Sequence, residues 1–331
     1  MSVHDFIRLT ALLLRLIRKK APSIGDFRCN IPGPLEIVYD LYFPKTRTRN
    51  TILLLHGCTV NGKDDPRLQH LARCMAATGS CCIVPTLPGL SRLQWAPTDI
   101  DGLAALILQL TTGRRSVGMV GFSFGGSYAM CAAAQPRAAA RVRFVLSFGA
   151  YHSLDELYRY QAAFGKTAPP HEKALDSWIY LQLVAAKRQA AGLGLSDEVS
   201  RRLDDLLKRY CHTSTAEEKK AFYRQHFHNE APWELESKLL DAPLLDRLSP
   251  RGKLKGLECP VFLFHDASDS LVPADHAGRI AGELAEEGKA HRILVTNLLN
   301  HVNLSSVFNL VQWYRFAAYL NPLVRAFPKD S

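Results

Sequence analysis

The sequence predicts an α/β fold: a mostly parallel sheet flanked by helices and carrying a helical insertion. Three observations predict it. Short apolar runs, typical of strands buried on both faces, alternate with helical stretches over residues 51–148. Between Tyr151 and Leu257 no strand pattern remains and helical spacing with frequent aromatics takes over, until the sheet pattern resumes at Pro260. At one strand-to-helix junction stands Gly121-Phe122-Ser123-Phe124-Gly125, a G-x-S-x-G turn in the context that a nucleophile elbow requires. The chain of 331 residues has room for one large domain with an insertion. It divides into an N-terminal amphipathic helix (1–22), a core (23–150 and 258–331) and a helical cap, or lid (151–257).

The elements follow in chain order. Phe6–Ile17 is apolar but holds Arg8 and Arg15, and Arg18-Lys19-Lys20 comes directly after it. The run is too short to span a bilayer, and its charges are not placed as in a secretory signal. Two readings stand for it: peripheral membrane association through residues 3–20, or a helix packed on the body of the protein. Leu35–Phe43 alternates like a half-exposed edge strand, and Thr51–Leu55 is a continuous apolar run for a buried one. Arg67–Thr78 has helical spacing closed by Gly79. Cys81–Val84 is a strand ended by Pro85, and Thr98 or Asp99 can cap a helix through Leu110. Val117–Val120 leads into the pentapeptide, and small helix formers follow it. Val142–Phe148 is the next strand. Within the insertion, Ala174–Ala191 and Asp197–Tyr210 are helical. Pro260–Phe264 (strand), Ala274–Glu287 (helix), Arg292–Val295 (strand) and an amphipathic helix over 304–320 complete the pattern.

Composition narrows the function classes. Hydrophobic residues at 47% and charged residues at 22% are ordinary for a folded chain. The 41 Lys+Arg against 31 Asp+Glu give a net charge of +10. No long basic tract lies outside the N-terminus and no nucleic-acid module is visible, so the charge reads as a solvated basic surface and no nucleic-acid partner is expected. The 8 cysteines show neither C-x-x-C nor metal-ligand spacing and lie mostly in apolar contexts. They favour a reducing compartment and a cytoplasmic location, with the basic helix available to the inner face of a membrane. His212, His226 and His228 lack carboxylate or cysteine partners at ligand spacing. Gly125-Gly126 lacks the Lys-Ser/Thr of a phosphate loop. No metal and no cofactor are expected.

A serine hydroxyl is a weak nucleophile until a base takes its proton, and the base needs an orienting acid. In open α/β sheets such groups gather at the carboxyl ends of strands. Two carboxylates, Asp266 and Asp269, follow the strand ending at Phe264; we assign Asp269, further into the loop, as the acid. His301 follows the last strand and completes the chain order Ser123, Asp269, His301. Acyl transfer also needs N–H donors for the negative oxygen of its intermediate. The backbone N–H of Phe124 is one, and that of Cys58, in His56-Gly57-Cys58-Thr59, is the other, with Thr59 as second choice. His56 reads as ordering this loop, and Asp99 and Asp101 as helix-start residues.

On His56–Thr59, Gly121–Gly126, His265–Pro273 and Asn300–Asn303, the chain resembles the α/β-hydrolase-fold serine hydrolases over residues 35–150 and 258–322. Thr86 stands where many relatives carry Asp, and Asp266 where a Gly is frequent, which leaves the subfamily open. The resemblance implies cofactor-free hydrolysis of an ester, thioester or similar carbonyl compound. The expectation is a carboxylesterase or lipase-like enzyme acting through an acyl-enzyme on a small-molecule ester with an apolar acyl or alcohol moiety. A thioesterase, acyltransferase or C–C bond hydrolase with the same triad is the alternative. A non-catalytic ligand-binding protein of this fold is the second.

Overall fold

A computed structural model of the protein describes residues 22–46, 50–112, 116–166, 180, 181, 184, 201, 205, 242–297, 299–300, 303–304, 315 and 318–320. The N-terminal helix expected over 1–22 lies outside the described residues but for Pro22, as do His212, His226, His228 and most of the two helices expected within 174–210.

The strands are β1 (Asp26–Pro32), β2 (Val38–Phe43), β3 (Asn50–Leu55), β4 (Ser80–Thr86), β5 (Val117–Phe122), β6 (Val142–Phe148), β7 (Val261–Asp266) and β8 (His291–Thr296). They form one sheet in the order β1-β2-β4-β3-β5-β6-β7-β8. β1 and β2 run antiparallel to their neighbours, and every later pairing is parallel. The helices are α1 (Pro66–Ala76), α2 (Pro88–Ser91), α3 (Pro97–Leu110), α4 (Phe124–Ala133), α5 (Leu154–Lys166), α6 (Ala242–Arg247) and α7 (Asp275–Glu286) among the described residues.

Period-two alternation within each central strand supplies two cores. Leu53, Leu55, Ile83, Met119, Val145 and Leu263 face one side, against Ile100, Leu103 and Ile107 of α3, Tyr128 of α4 and Ile280 and Leu284 of α7. Ile52, Leu54, Cys82, Val84, Val120, Leu146, Phe262 and Phe264 face the other, against Leu68, Ala72 and Ala76 of α1 and against Tyr319. A strand apolar at every position is thus explained by helices on both faces.

Four expectations need correction. The edge strand is β1, and the segment beginning at Leu35 is not extended throughout: Leu35 and Glu36 have φ of 48° and 63° and form the turn between β1 and β2. β1 escaped notice because Asp26, Asn30 and Pro32 dilute its pattern and a bulge interrupts its register between Arg28 and Ile31. Pro85 does not end β4. It pairs with Tyr39 beyond Ile83, the last residue of β4 that pairs with β3, where a missing N–H costs no bond to that neighbour. α3 is entered through Ala96 and Pro97 without a side-chain cap. Asp99 instead accepts the N–H groups of Gly89 and Leu90 at 2.9 Å each, and so holds α2 against α3. Leu304, expected to open the last helix, pairs with Leu299 in a two-stranded ribbon of Leu299–Asn300 and Asn303–Leu304.

The chain between β6 and β7 is helical among its described residues, in α5, α6 and residues 180, 181, 184, 201 and 205. Its two ends are tied to each other. The Leu154 N–H donates to Ser249 Oγ at 2.8 Å, the Arg251 N–H to the His152 carbonyl at 3.1 Å, and Tyr151 Oη to the Leu248 carbonyl at 2.8 Å. Glu283 of α7 bridges both ends to the core, meeting His152 Nε2 at 2.7 Å and accepting the Gly252 N–H at 2.9 Å.

Candidate active site

The sheet order contains one place where the chain reverses its direction of winding. From β3 it moves to β4 on one side, then returns across β3 to β5 on the other. Such a switch point opens a crevice at the carboxyl ends of the two strands. The residues that leave β3 and β5 at that end are His56-Gly57-Cys58 and Ser123, and the last register pair before them is Leu55 with Gly121. Topology alone therefore brings the loop with Cys58 to the serine.

Ser123 has φ 52° and ψ −124°, a conformation that L residues rarely adopt and that costs on the order of 1–3 kcal/mol. Neighbouring bonds hold it there. Its N–H donates to the Phe148 carbonyl at 2.7 Å, and its own carbonyl accepts the Gly126 N–H at 2.9 Å. The flanking glycines make room: a Cβ on Gly121 would lie 2.5 Å from the Gly125 carbonyl oxygen, and one on Gly125 would lie 2.3 Å from that of His56. Ser123 is the N-cap of α4, and Phe124 is its first residue. The Phe124 N–H is therefore among the backbone donors that an α-helix leaves unpaired within itself.

The loop after β3 lies directly against this turn. A Cβ on Gly57 would stand 3.1 Å from Ser123 Cβ and 3.0 Å from the Phe122 carbonyl oxygen. His56 is buried, and burial pushes its pKa down to about 4, so it is neutral at pH 7. Its Nε2 accepts the Leu87 N–H at 2.9 Å, which makes Nδ1 the protonated nitrogen, and this donates to the Gly57 carbonyl at 2.7 Å. In a trans peptide the carbonyl and the following N–H point opposite ways. By fixing the Gly57 carbonyl, His56 fixes the direction of the Cys58 N–H.

Phe124 stacks on Trp95 at 5.4 Å between centroids and meets Tyr151 edge-on at 4.9 Å, while Trp95 meets Tyr158 edge-on at 5.4 Å. These four buried rings form one cluster of the core, joined to the serine through Phe124.

On the far side of β6, β7 and the loop after it carry the two competing carboxylates, both buried. Asp266 Oδ1 accepts the Ser268 N–H at 2.8 Å and the Ser268 hydroxyl at 2.6 Å, an Asx turn that engages this oxygen in the loop's own structure. Asp269 is buried, and its Oδ1 accepts the N–H groups of Leu271 and Val272 at 2.9 Å each. Its Oδ2 lies 3.5 Å from His265 Nε2, which itself meets the Val272 carbonyl at 2.7 Å. Ser123 and this loop share one edge of the sheet, because bonds run along it from Ser123 to Phe148, from Gly149 to Phe264 and from Ala267 to Thr296. His301 lies outside the described residues, between Asn300 and Asn303, which pair with each other.

A sequence model described as the alpha/beta hydrolase family matches residues 52–298. The chain belongs to the α/β hydrolase family. Comparison with curated proteins gives no match. Solved structures similar to this hydrolase-family chain include an acylaminoacyl peptidase of Pyrococcus horikoshii, at 14% identity and TM-score 0.48, covering 86% of this chain and 38% of that one. A meta-cleavage product hydrolase of Pseudomonas fluorescens is 16% identical, with TM-score 0.48 and coverage of 92% and 97%. An esterase of a Rhodococcus species is 19% identical, with TM-score 0.46 and coverage of 88% and 95%. The chain spans between 36% and 45% of the length of the acylaminoacyl peptidases it is similar to.

In this α/β hydrolase the fold brings Ser123, Phe124 and the Gly57-Cys58 loop together. Asp269 is placed on the same sheet edge. Sequence reasoning missed three groups from the segment between β6 and β7 that touch these loops. Tyr160 Oη donates to the Ser270 carbonyl at 3.2 Å, Gln161 Nε2 donates to the Leu271 carbonyl at 2.9 Å, and Tyr180 Oη donates to the Cys58 carbonyl. Their only sequence signal was a density of aromatic residues. Among the described residues no group of His, Cys, Asp and Glu could hold a metal ion, and no helix is long and apolar enough to cross a membrane. Among the described residues no cysteine forms a disulfide, and Cys211 lies outside them.

Proposed function

We propose that the chain is a serine hydrolase that cleaves a carboxylic ester through an acyl-enzyme. The observation that carries this reading is the backbone of Ser123, held at φ 52° by its surroundings with the Gly57 loop packed against it. Strain of this kind persists where surrounding structure enforces it, and it clusters at functional sites. In this reading the Ser123 hydroxyl faces the Cys58 and Phe124 N–H groups.

In the mechanism we infer, Ser123 Oγ attacks the ester carbonyl while His301 takes its proton. The carbonyl oxygen gains a negative charge that the Cys58 and Phe124 N–H groups stabilise; each such donor is worth about 2.7–4 kcal/mol in the transition state. His301 then protonates the leaving alcohol, and afterwards activates the water that releases the acid. Asp269 orients His301 and stabilises its cationic form. The bonds to Oδ1 of Asp269 support this role, because two backbone N–H groups orient a buried carboxylate. Residues 151–257 act as a cap, whose frequent aromatic residues support an apolar acyl or alcohol moiety in the substrate. We further propose that residues 3–20 attach the protein peripherally to membranes. Flotation with anionic liposomes tests this, since loss of binding on deleting the segment is expected and unchanged binding contradicts it.

The test of the activity is a chain-length series of p-nitrophenyl esters assayed beside acyl-CoA thioesters and a vinylogous diketone, with Ser123→Ala as control. Ester turnover that peaks at one acyl length and disappears in Ser123→Ala is expected. Preferred turnover of the thioester or diketone would move the assignment to those reactions, and parental turnover by Ser123→Ala would remove the mechanism.

A further inference from the structure

We propose that Tyr180 is a positioning residue for the oxyanion loop, so that the segment between β6 and β7 is part of the machinery that shapes the site and does more than cover it. This rests on the serine hydrolase reading of the preceding subsection and extends it to a residue that reading does not use.

The argument starts from peptide geometry. Two successive peptide planes in the loop present the two candidate donors, the N–H of Cys58 and that of Thr59. Among the described residues no peptide bond is cis, so each N–H points opposite to the carbonyl of its own plane. Whatever holds the carbonyl aims the donor. The first plane is held by His56 Nδ1 on the Gly57 carbonyl at 2.7 Å, and His56 is in turn bonded to the Leu87 N–H in the core. The second plane, which carries the Thr59 N–H, is held by Tyr180, whose Oη donates to the Cys58 carbonyl. Cys58 therefore sits between a plane anchored in the core and a plane anchored in the segment that follows β6.

The same segment grips the acid loop. Tyr160 Oη and Gln161 Nε2 of α5 donate to the Ser270 and Leu271 carbonyls, next to the Leu271 and Val272 N–H groups that hold Asp269. Gln161 is buried. The oxyanion loop and the acid loop thus both take hydrogen bonds from this segment, the first from Tyr180 and the second from α5.

The bond fixes the plane that leaves Cys58 and carries the Thr59 N–H, so its loss should loosen Cys58, whose own N–H is the donor of the mechanism, and be felt where charge develops on the substrate oxygen and not in ground-state binding. The experiment compares Tyr180→Phe, which removes only the hydroxyl, with the parent protein. Two readouts are used: kcat and KM for a p-nitrophenyl ester, and amide hydrogen exchange of residues 56–62 with residues 80–86 as internal reference. The expected result is a kcat lowered about tenfold with KM within about twofold, and exchange in 56–62 accelerated at least about fivefold with 80–86 unchanged. Unchanged exchange in 56–62 overturns the proposal, and so does faster exchange with parental kcat. If the parent turned over no ester, the hydrolase reading would fall separately. Exchange would then decide alone: acceleration keeps Tyr180 as the loop's anchor, and no acceleration removes it.

Discussion

At the residue scale, the proposed nucleophile, Ser123, is also a residue of strained backbone. The G-x-S-x-G spacing was legible because each glycine answers a contact: the Gly121 and Gly125 backbones pass where no Cβ fits. The choice between Asp266 and Asp269 was also made on sequence, from position in the loop. In the structure both carboxylates are buried and each accepts two hydrogen bonds through Oδ1, Asp266 from Ser268 and Asp269 from the Leu271 and Val272 N–H groups, so the assignment rests on position in the loop. Asp269→Asn is expected to lower kcat by about ten thousandfold, as for other triad acids that lose their charge. Asp266→Asn keeps the oxygen that accepts from Ser268 and should leave kcat within about threefold. Steady-state kinetics on the two variants checks this, and a reversed order would transfer the acid role to Asp266.

At the scale of elements, the strands with continuous apolar runs were readable because two helical layers make every position apolar. β1 and α2 were not, and the reason is physical. β1 is an exposed edge hairpin whose residues need not be apolar. α2 has four residues, too few for a periodic signal, and depends on a bond made at a distance. That bond is the Asp99 carboxylate on the Gly89 and Leu90 N–H groups. Sequence reasoning gave Asp99 the start of α3, a local role, whereas burial and two donors from another helix define its actual one. Removing the carboxylate leaves two buried N–H groups without their acceptor, at about 1–3 kcal/mol. Asp99→Ala should therefore lower the unfolding free energy by about 2 kcal/mol in urea titrations, with the m-value unchanged. A variant of parental stability would show that the two N–H groups find other partners.

At the scale of the whole molecule, the fold places function by winding order. The reversal between β4 and β5 sets the β3 loop beside the serine, and neither local propensity nor composition carries that information. It became legible only through the chain order of serine, acid and histidine motifs. Contacts from Tyr160, Gln161 and Tyr180 were not legible, because they are long-range choices made by side chains whose sequence neighbourhood is unremarkable.

Two buried neutral histidines also give the whole molecule a pH dependence. His56 and His276 have pKa values pushed by burial down to about 4. An unfolded histidine titrates near 6.5, so between these values the unfolded chain binds more protons and stability falls with pH. The contribution is fully present above about pH 6.5 and is lost progressively toward pH 4, at up to about 1.4 kcal/mol per unit for each residue. Asp99, whose pKa burial raises, opposes this trend. Urea midpoints between pH 7 and pH 4.5 should decrease, and should decrease less in His276→Gln, where one of the two histidines is absent. An equal decrease in the variant would remove His276 from the account.

The central claim is that Ser123 is a nucleophile made reactive by its surroundings. Treatment of the full chain with a fluorophosphonate, followed by peptide mass spectrometry, tests it most directly. A single phosphonyl adduct on Ser123, formed in the native protein and lost both on unfolding and in Ser123→Ala, is the result this account predicts. No adduct on the native protein, or an adduct on another residue that persists in Ser123→Ala, would contradict it.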